Sequence, residues 1–136
     1  MPETRRDAAR AIDLCPCCSG ERYGSCCGPL HDGEPAPTAE ALMRSRFAAY
    51  ALGLDAYVLR TWHARTRPDD VAAAGVAWRS LEILDVVAGG EGDVSGEVEF
   101  LARGEADGRP FAMRERSRFA RRDGRWQYVD GEVSDG

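Results

Sequence analysis

Lysine is absent from the 136 residues, so every one of the eighteen basic side chains is an arginine, and a guanidinium stays protonated at any useful pH. Schiff-base catalysis and lysine-dependent phosphate grips of the Walker type are thereby excluded. The accompanying wealth of alanine, glycine and arginine is what a GC-rich coding sequence produces. Long apolar runs are missing too: no stretch approaches the roughly 18 apolar residues of a membrane span. The opening Met-Pro-Glu-Thr-Arg-Arg-Asp leads into no apolar segment, so neither signal peptide nor anchor is expected, no membrane partner is expected, and the cytoplasm is the expected location. A net charge of -5 argues against a general nucleic-acid binder, which needs a basic surface. Ser45, Ser80 and Ser117 lack the context of a nucleophile elbow, and no serine-hydrolase reading results.

Cysteine is scarce in a more telling way. All five lie between Cys15 and Cys27, in Cys-Pro-Cys-Cys-Ser-Gly-Glu-Arg-Tyr-Gly-Ser-Cys-Cys-Gly, and none occurs later in the chain. In a reducing compartment such a cluster reads as metal ligands rather than disulfides. Cys15 and Cys17 approach an ion from one side, and Cys26 and Cys27 return across a turn at Ser19–Gly24. Four thiolates favour zinc, with iron the alternative for the same tetrahedral sulfur set. A site filled wholly by protein is closed, and closed sites are structural. Cys18 is then a surplus thiol, able to compete for the metal or to oxidise.

Three parts are expected: residues 1–28 as an N-terminal segment and metal knuckle, 29–37 as a linker, and 38–136 as the main domain. A short helix is predicted within 1–14, and His31 falls in the linker, either as a substitute ligand or as decoration. On this division, loss of the metal unfolds 15–28 and spares the downstream domain. Thr38 caps a helix running to about Leu52 and ended by Gly53; a second helix starts after Asp55 and ends near His63, and a third covers Pro68 to Ala74. From Trp78 the pattern becomes strands separated by Gly-Gly-Glu-Gly-Asp, Asp107-Gly108 and Asp123-Gly124, three consecutive antiparallel hairpins. Helices first and a meander afterwards specify an α+β domain whose sheet rests on the helices.

Counting back from Asp107-Gly108 sets Glu99 opposite Arg116 and Glu97 opposite Arg118 on a solvent face. The other face carries Val98, Phe100, Phe111, Met113 and Phe119, interrupted by Glu115 and Ser117. The same count at Asp123-Gly124 sets Tyr128 opposite Phe119 and Asp130 opposite Ser117. Arg46 points into the apolar face of the first long helix, so an Arg46–Glu115 or Arg46–Asp130 pair is expected there. One reading is a satisfied buried ion pair. The other is a pocket in which Glu115 or Asp130 acts as acid or base, Arg46 holds the substrate, and Tyr128, Trp126 and Tyr50 form the walls. His63 is a capping or core histidine on one reading and a catalytic candidate on the other.

The cysteine segment resembles the SEC-C motif, the small zinc-binding module at the carboxyl end of the SecA translocation ATPase. By that match Cys15, Cys17, Cys26 and Cys27 take the ligand positions and Ser19, Gly20 and Tyr23 support the turn, while Cys18 stands where the motif has glycine. The likeness continues through Ala-Pro-Thr-Ala-Glu-Ala-Leu-Met-Arg-Ser-Arg-Phe, Thr-Trp-His, Trp-Arg-Ser-Leu-Glu-Ile-Leu, Glu-Arg-Ser-Arg-Phe and Gly-Arg-Trp-Gln-Tyr-Val-Asp-Gly. Over residues 15 to 131 the chain resembles the YchJ family, which pairs a SEC-C motif with an NTF2-like domain. The resemblance implies a cone of α+β structure, a curved sheet wrapped around helices, and no particular reaction. Three functions are then in view. An adaptor uses the knuckle to meet a protein or ribonucleoprotein partner, with the larger domain binding a small molecule or forming a homodimer. An enzyme uses the inner-face cluster for proton transfer of the isomerase or lyase type. A redox or metal-responsive switch uses Cys18.

Overall fold

The computed structural model describes residues 10–71 and 76–135. Three helices, α1 (Cys27–His31), α2 (Ala39–Leu52) and α3 (Asp55–Arg60), precede four strands, β1 (Val76–Ala88), β2 (Ser95–Ala106), β3 (Arg109–Arg122) and β4 (Arg125–Asp135). The strands form one antiparallel sheet in the order β1-β2-β3-β4. None of the described helices is long and apolar enough to cross a membrane.

Local chemistry places the ends of α2. Thr38 is extended and its Oγ1 accepts a hydrogen bond from the Ala41 N–H at 3.0 Å, while Gly53, at φ 74°, supplies the left-handed residue that closes the C-terminus. The helix lays Leu42, Met43 and Phe47 on the inner face of the sheet against Val98, Phe100, Phe119 and Trp126, which together form the main core. Both Asp-Gly pairs have positive φ at both residues, 53° and 76° at Asp107-Gly108 and 52° and 78° at Asp123-Gly124. These are the mirror-image turns that match strand twist, and they set Glu97 opposite Arg118 and Glu99 opposite Arg116 as expected.

The second hairpin departs from the simple count. Phe119 pairs with Tyr128, but Arg118 pairs with Asp130, because a bulge at Val129 gives β4 one extra residue. Asp130 therefore turns to the outer face, where its carboxylate accepts from Arg118 Nε at 2.6 Å, and Gly131 takes the place opposite Ser117. The outer face is a charged lattice: Arg116 binds Glu97, Glu99 and Asp85, and Arg118 also reaches Glu132. These pairs lie on the solvent face, half-buried to exposed, and contribute little each.

The other differences lie at the helical end. Of the expected helix within 1–14, residues 1–9 lie outside the described residues, and 10–14 form a turn and a β-bridge from Leu14 to Arg22. Pro68–Val71 is irregular rather than helical, and 72–74 lie outside the described residues. The expected linker opens inside α1, whose first turn tolerates Pro29 because its N–H is not needed there. Most consequentially, the knuckle packs on α2: Cys15, Cys17, Tyr23 and Cys27 share a buried cluster with Ala48 and Leu52.

Candidate functional site

Two sites sit on opposite flanks of α2. In the first, a miniature hairpin aligns the early cysteines: Cys15 N–H donates to the Glu21 carbonyl at 2.8 Å and Tyr23 N–H to that of Asp13 at 2.8 Å. A single 3-10 turn, Tyr23–Ser25, then swings Cys26 and Cys27 back. The sulfurs of Cys15, Cys17, Cys26 and Cys27 all lie within 4.8 Å of one another. Cys17–Cys26 at 3.6 Å and Cys26–Cys27 at 3.9 Å bracket the ~3.8 Å edge of a tetrahedron with metal–sulfur bonds of about 2.3 Å. The donor set thus fits one thiophilic ion.

Electrostatics point the same way. Hydrogen bonds from Cys15, then Cys27, hold the Cys17 thiol well below its ordinary range. Sharing with Cys17 pushes Cys15 up to about 12, and sharing with Cys15 and Cys17 pushes Cys27 upward. Thiolates this close repel one another, so a bound cation is what would let the four ionise together. Ser19 Oγ lies 3.2 Å from Cys26 Sγ and braces it from outside.

Cys18 is exposed, and its backbone is in the left-handed region at φ 66°. That conformation suits glycine and strains a residue with a Cβ by about 1 kcal/mol, which explains the glycine of the motif it resembles. Cys18→Gly is accordingly expected to keep metal content unchanged and to raise stability by up to ~1 kcal/mol, read from denaturant midpoints with and without the substitution. A fall in bound metal would make Cys18 a ligand.

His31 is neither a ligand nor a decoration of the linker. It is buried, its Nε2–H donates to the Ser45 carbonyl at 2.9 Å, and its Nδ1 accepts from Tyr23 OH at 2.6 Å. It ties α1 and the knuckle to the middle of α2.

The second site is a cavity of about 300 Å³ between α2 and the inner sheet face, with Arg46, Glu115, Ser117, Tyr128 and Tyr50 on its wall beside Trp62 and Trp78. Arg46 is 3% exposed. Its Nη1 donates to the Val58 carbonyl and to Thr61 Oγ1, each at 2.8 Å, and its guanidinium lies over the rings of Tyr128 and Trp62 at 4.6 and 5.0 Å. No carboxylate among the described residues lies within salt-bridge distance of it, so the expected pairing with Glu115 or Asp130 is replaced by backbone, hydroxyl and aromatic contacts. Burial lowers the Arg46 pKa, and Tyr50, Tyr128, Tyr57 and Glu115 oppose that shift; an arginine remains charged regardless.

Glu115 is anchored separately. Its Oε2 accepts from Ser117 Oγ at 2.7 Å and from Tyr128 OH at 2.8 Å. Gly131 makes room for it, since a Cβ there would collide with that oxygen. A glycine inside a strand is the sequence signal for such a close approach, and a count of strand faces passes over it. Spacing does not place Trp62 and Trp78 on the wall, because the first lies just past a helix end and the second precedes a bulge in β1. Three expectations fall outside the cavity. Asp130 faces outward, Trp126 is 2% exposed within the main core, and His63 is buried beside β4, its N–H donating to the Tyr128 carbonyl and its Nδ1 accepting from Arg65 N–H.

Tyr128, Tyr50 and Tyr57 all have raised pKa values, burial being the largest cause in each, with the Glu115 charge adding to it at Tyr128. The folded chain holds these protons more tightly than the unfolded chain. Their contribution to stability is therefore complete below about pH 10 and is lost as pH rises through the raised values. Tyrosinate absorbance is expected to appear in step with unfolding above pH ~10; ionisation of all tyrosines in a still-folded chain would contradict it.

A four-stranded meander closed over one long helix, with a cavity beneath and four converging thiols alongside, defines an NTF2-like domain joined to a cysteine knuckle. A family profile described as "YchJ, middle NTF2-like domain" matches residues 38–131, and the chain belongs to that family. A UPF0225 protein of Chromobacterium violaceum is 52% identical over 131 residues, covering 92% of this chain and 96% of that one. Another, from Deinococcus radiodurans, is 53% identical over 119 residues, covering 85% and 86%. Among solved structures, a SEC-C motif containing protein from Rhodopseudomonas palustris aligns with TM-score 0.78 and 38% identity over 89% of this chain and 98% of that one. A second, from Psychrobacter arcticus, gives 0.75 and 27% over 93% and 85%.

Proposed function

We propose that the protein is a zinc-stapled binder of small molecules. The knuckle holds one structural zinc through Cys15, Cys17, Cys26 and Cys27, and the cavity beneath α2 receives the ligand. The observation that carries this reading is the cavity itself: a buried arginine from α2 and a clamped carboxylate from β3 in an otherwise largely apolar space. That is the composition of a ligand site, with few polar groups among many apolar ones. Four sulfurs with no oxygen or nitrogen donor among them favour zinc over harder ions and leave no open position.

Elemental analysis of natively purified protein should give one zinc per chain; iron in its place would overturn the metal assignment. A fragment library screened by proton–nitrogen correlation NMR should produce hits that converge on the indole signals of Trp62 and Trp78. Hits scattered over the outer sheet face would end the ligand-binding reading.

The adaptor reading retains one specific observation. Ile12 and Leu14, 62% and 67% exposed, lie two residues apart on the segment leading into the cysteines, exposed apolar residues suited to a protein partner. Affinity capture comparing the natural chain with Ile12→Ser/Leu14→Ser should then lose specific proteins; identical partner sets would remove this reading.

A further inference from the structure

We infer that the cavity beneath α2 selects a neutral, flat ligand whose edge carries a hydrogen-bond acceptor beside a donor, as in a lactam or imide ring, and disfavours both anions and cations of equal size. The inference rests on the ligand-binding reading above and adds the chemistry of the ligand.

Charge balance comes first. Among the described residues, Arg46 and Glu115 are the only ionised side chains on the cavity wall, and one is positive and the other negative. They do not neutralise each other by contact: no salt bridge joins them, Arg46 being held by Val58 and Thr61 and Glu115 by Ser117 and Tyr128. The wall is therefore dipolar with zero net charge. An anion or a cation entering it gives up its hydration and, with attraction to one group offset by repulsion from the other, gains little net Coulombic compensation. A neutral ligand with complementary polarity gives up far less hydration.

Unused hydrogen-bonding capacity then sets the edge. Arg46 donates to Val58 and Thr61 from Nη1, so Nε and Nη2 remain as donors; the indole N–H groups of Trp62 and Trp78 are buried without a hydrogen-bond partner, and the Tyr50 hydroxyl has none among the described residues. Glu115 uses Oε2 twice, leaving Oε1 to accept. Several free donors and a single free acceptor on the wall match a ligand that offers an acceptor and a donor of its own. Aromatic and thioether side chains supply the remaining wall, including Phe47, Trp78, Phe100, Met43 and Met113, which suits a flat ring. The volume, about 300 Å³, is at the lower end for ligand pockets and admits on the order of ten to fifteen non-hydrogen atoms.

Three fused-ring probes of similar size separate the alternatives: isoquinolinone, a neutral lactam; naphthoate, an anion; and naphthylmethylammonium, a cation. Titrations of the zinc-loaded full chain are followed at the indole N–H signals of Trp62 and Trp78. Isoquinolinone is expected to shift both saturably and to bind at least about tenfold more tightly than either ion. Glu115→Gln removes the negative end, so in that variant naphthoate should gain affinity and isoquinolinone lose its lead. Tighter binding of naphthoate or of the ammonium probe to the natural chain would overturn this inference while leaving ligand binding intact. Saturable binding of none of the three at the indoles would overturn both. If Glu115→Gln does not fold, the ranking on the natural chain decides alone.

Discussion

Cys27→Ser is expected to strip the metal and to lower the thermal midpoint of the whole chain, rather than loosen residues 15–28 alone. Cys27 is 1% exposed and shares its cluster with Tyr23, Ala48 and Leu52. Arg44 in α2 reaches over to the Cys17 carbonyl at 3.0 Å, and His31 bridges Tyr23 to the Ser45 carbonyl. A knuckle tied to the helix that carries the core would transmit the binding energy of the proposed ion to that core. Where free metal exceeds its dissociation constant a thousandfold, the linkage is worth about 4 kcal/mol, or on the order of 10 °C or more for a chain of this size. Circular dichroism melts paired with elemental analysis check it. A metal-free variant with the natural midpoint would show that the knuckle is merely appended, as a composition-based linker at 29–37 suggests.

That contrast shows what the sequence carried and what it did not. Helix α2 is legible because Thr38 and Gly53 are local signals, and the β2–β3 register is legible because Asp107-Gly108 permits one turn geometry and fixes every pairing behind it. The four converging cysteines are legible because they lie within thirteen residues of one another. A single bulged residue, Val129, moves Asp130 off the expected face, since a one-residue shift reverses every face beyond it. Arg46 does lie on the buried side of its helix, but its partners are a carbonyl and a hydroxyl on α3 and its cap, together with rings from beyond α3 and from β4. Nothing in spacing identifies a carbonyl as a partner, so a carboxylate is the natural expectation. The proline-rich stretch at 28–37 reads as a boundary because composition does not show that His31 is buried against α2.

Arg46→Met is expected to be the most damaging change at the cavity. Methionine fills part of the volume, but the hydrogen bonds from a charged donor to Val58 and Thr61 are lost, at about 1.5–3 kcal/mol. The desolvated stacking on Trp62 and Tyr128 goes with them, at about 2 kcal/mol. A loss of about 3.5–5 kcal/mol by denaturant unfolding is the expected result. Arg46→Lys should recover only part of it, because an ammonium lacks the planar fork and the stacking face. The informative comparison is with Arg46→Met/Glu115→Gln. Removing Arg46 leaves Glu115 as the sole charge on the wall, and removing both charges relieves that imbalance. The double variant should therefore be more stable than the sum of the single losses predicts, by roughly 1 kcal/mol or more. Strict additivity would mean that the two groups do not sense each other across the cavity, and the dipolar wall would then be two independent structural contacts.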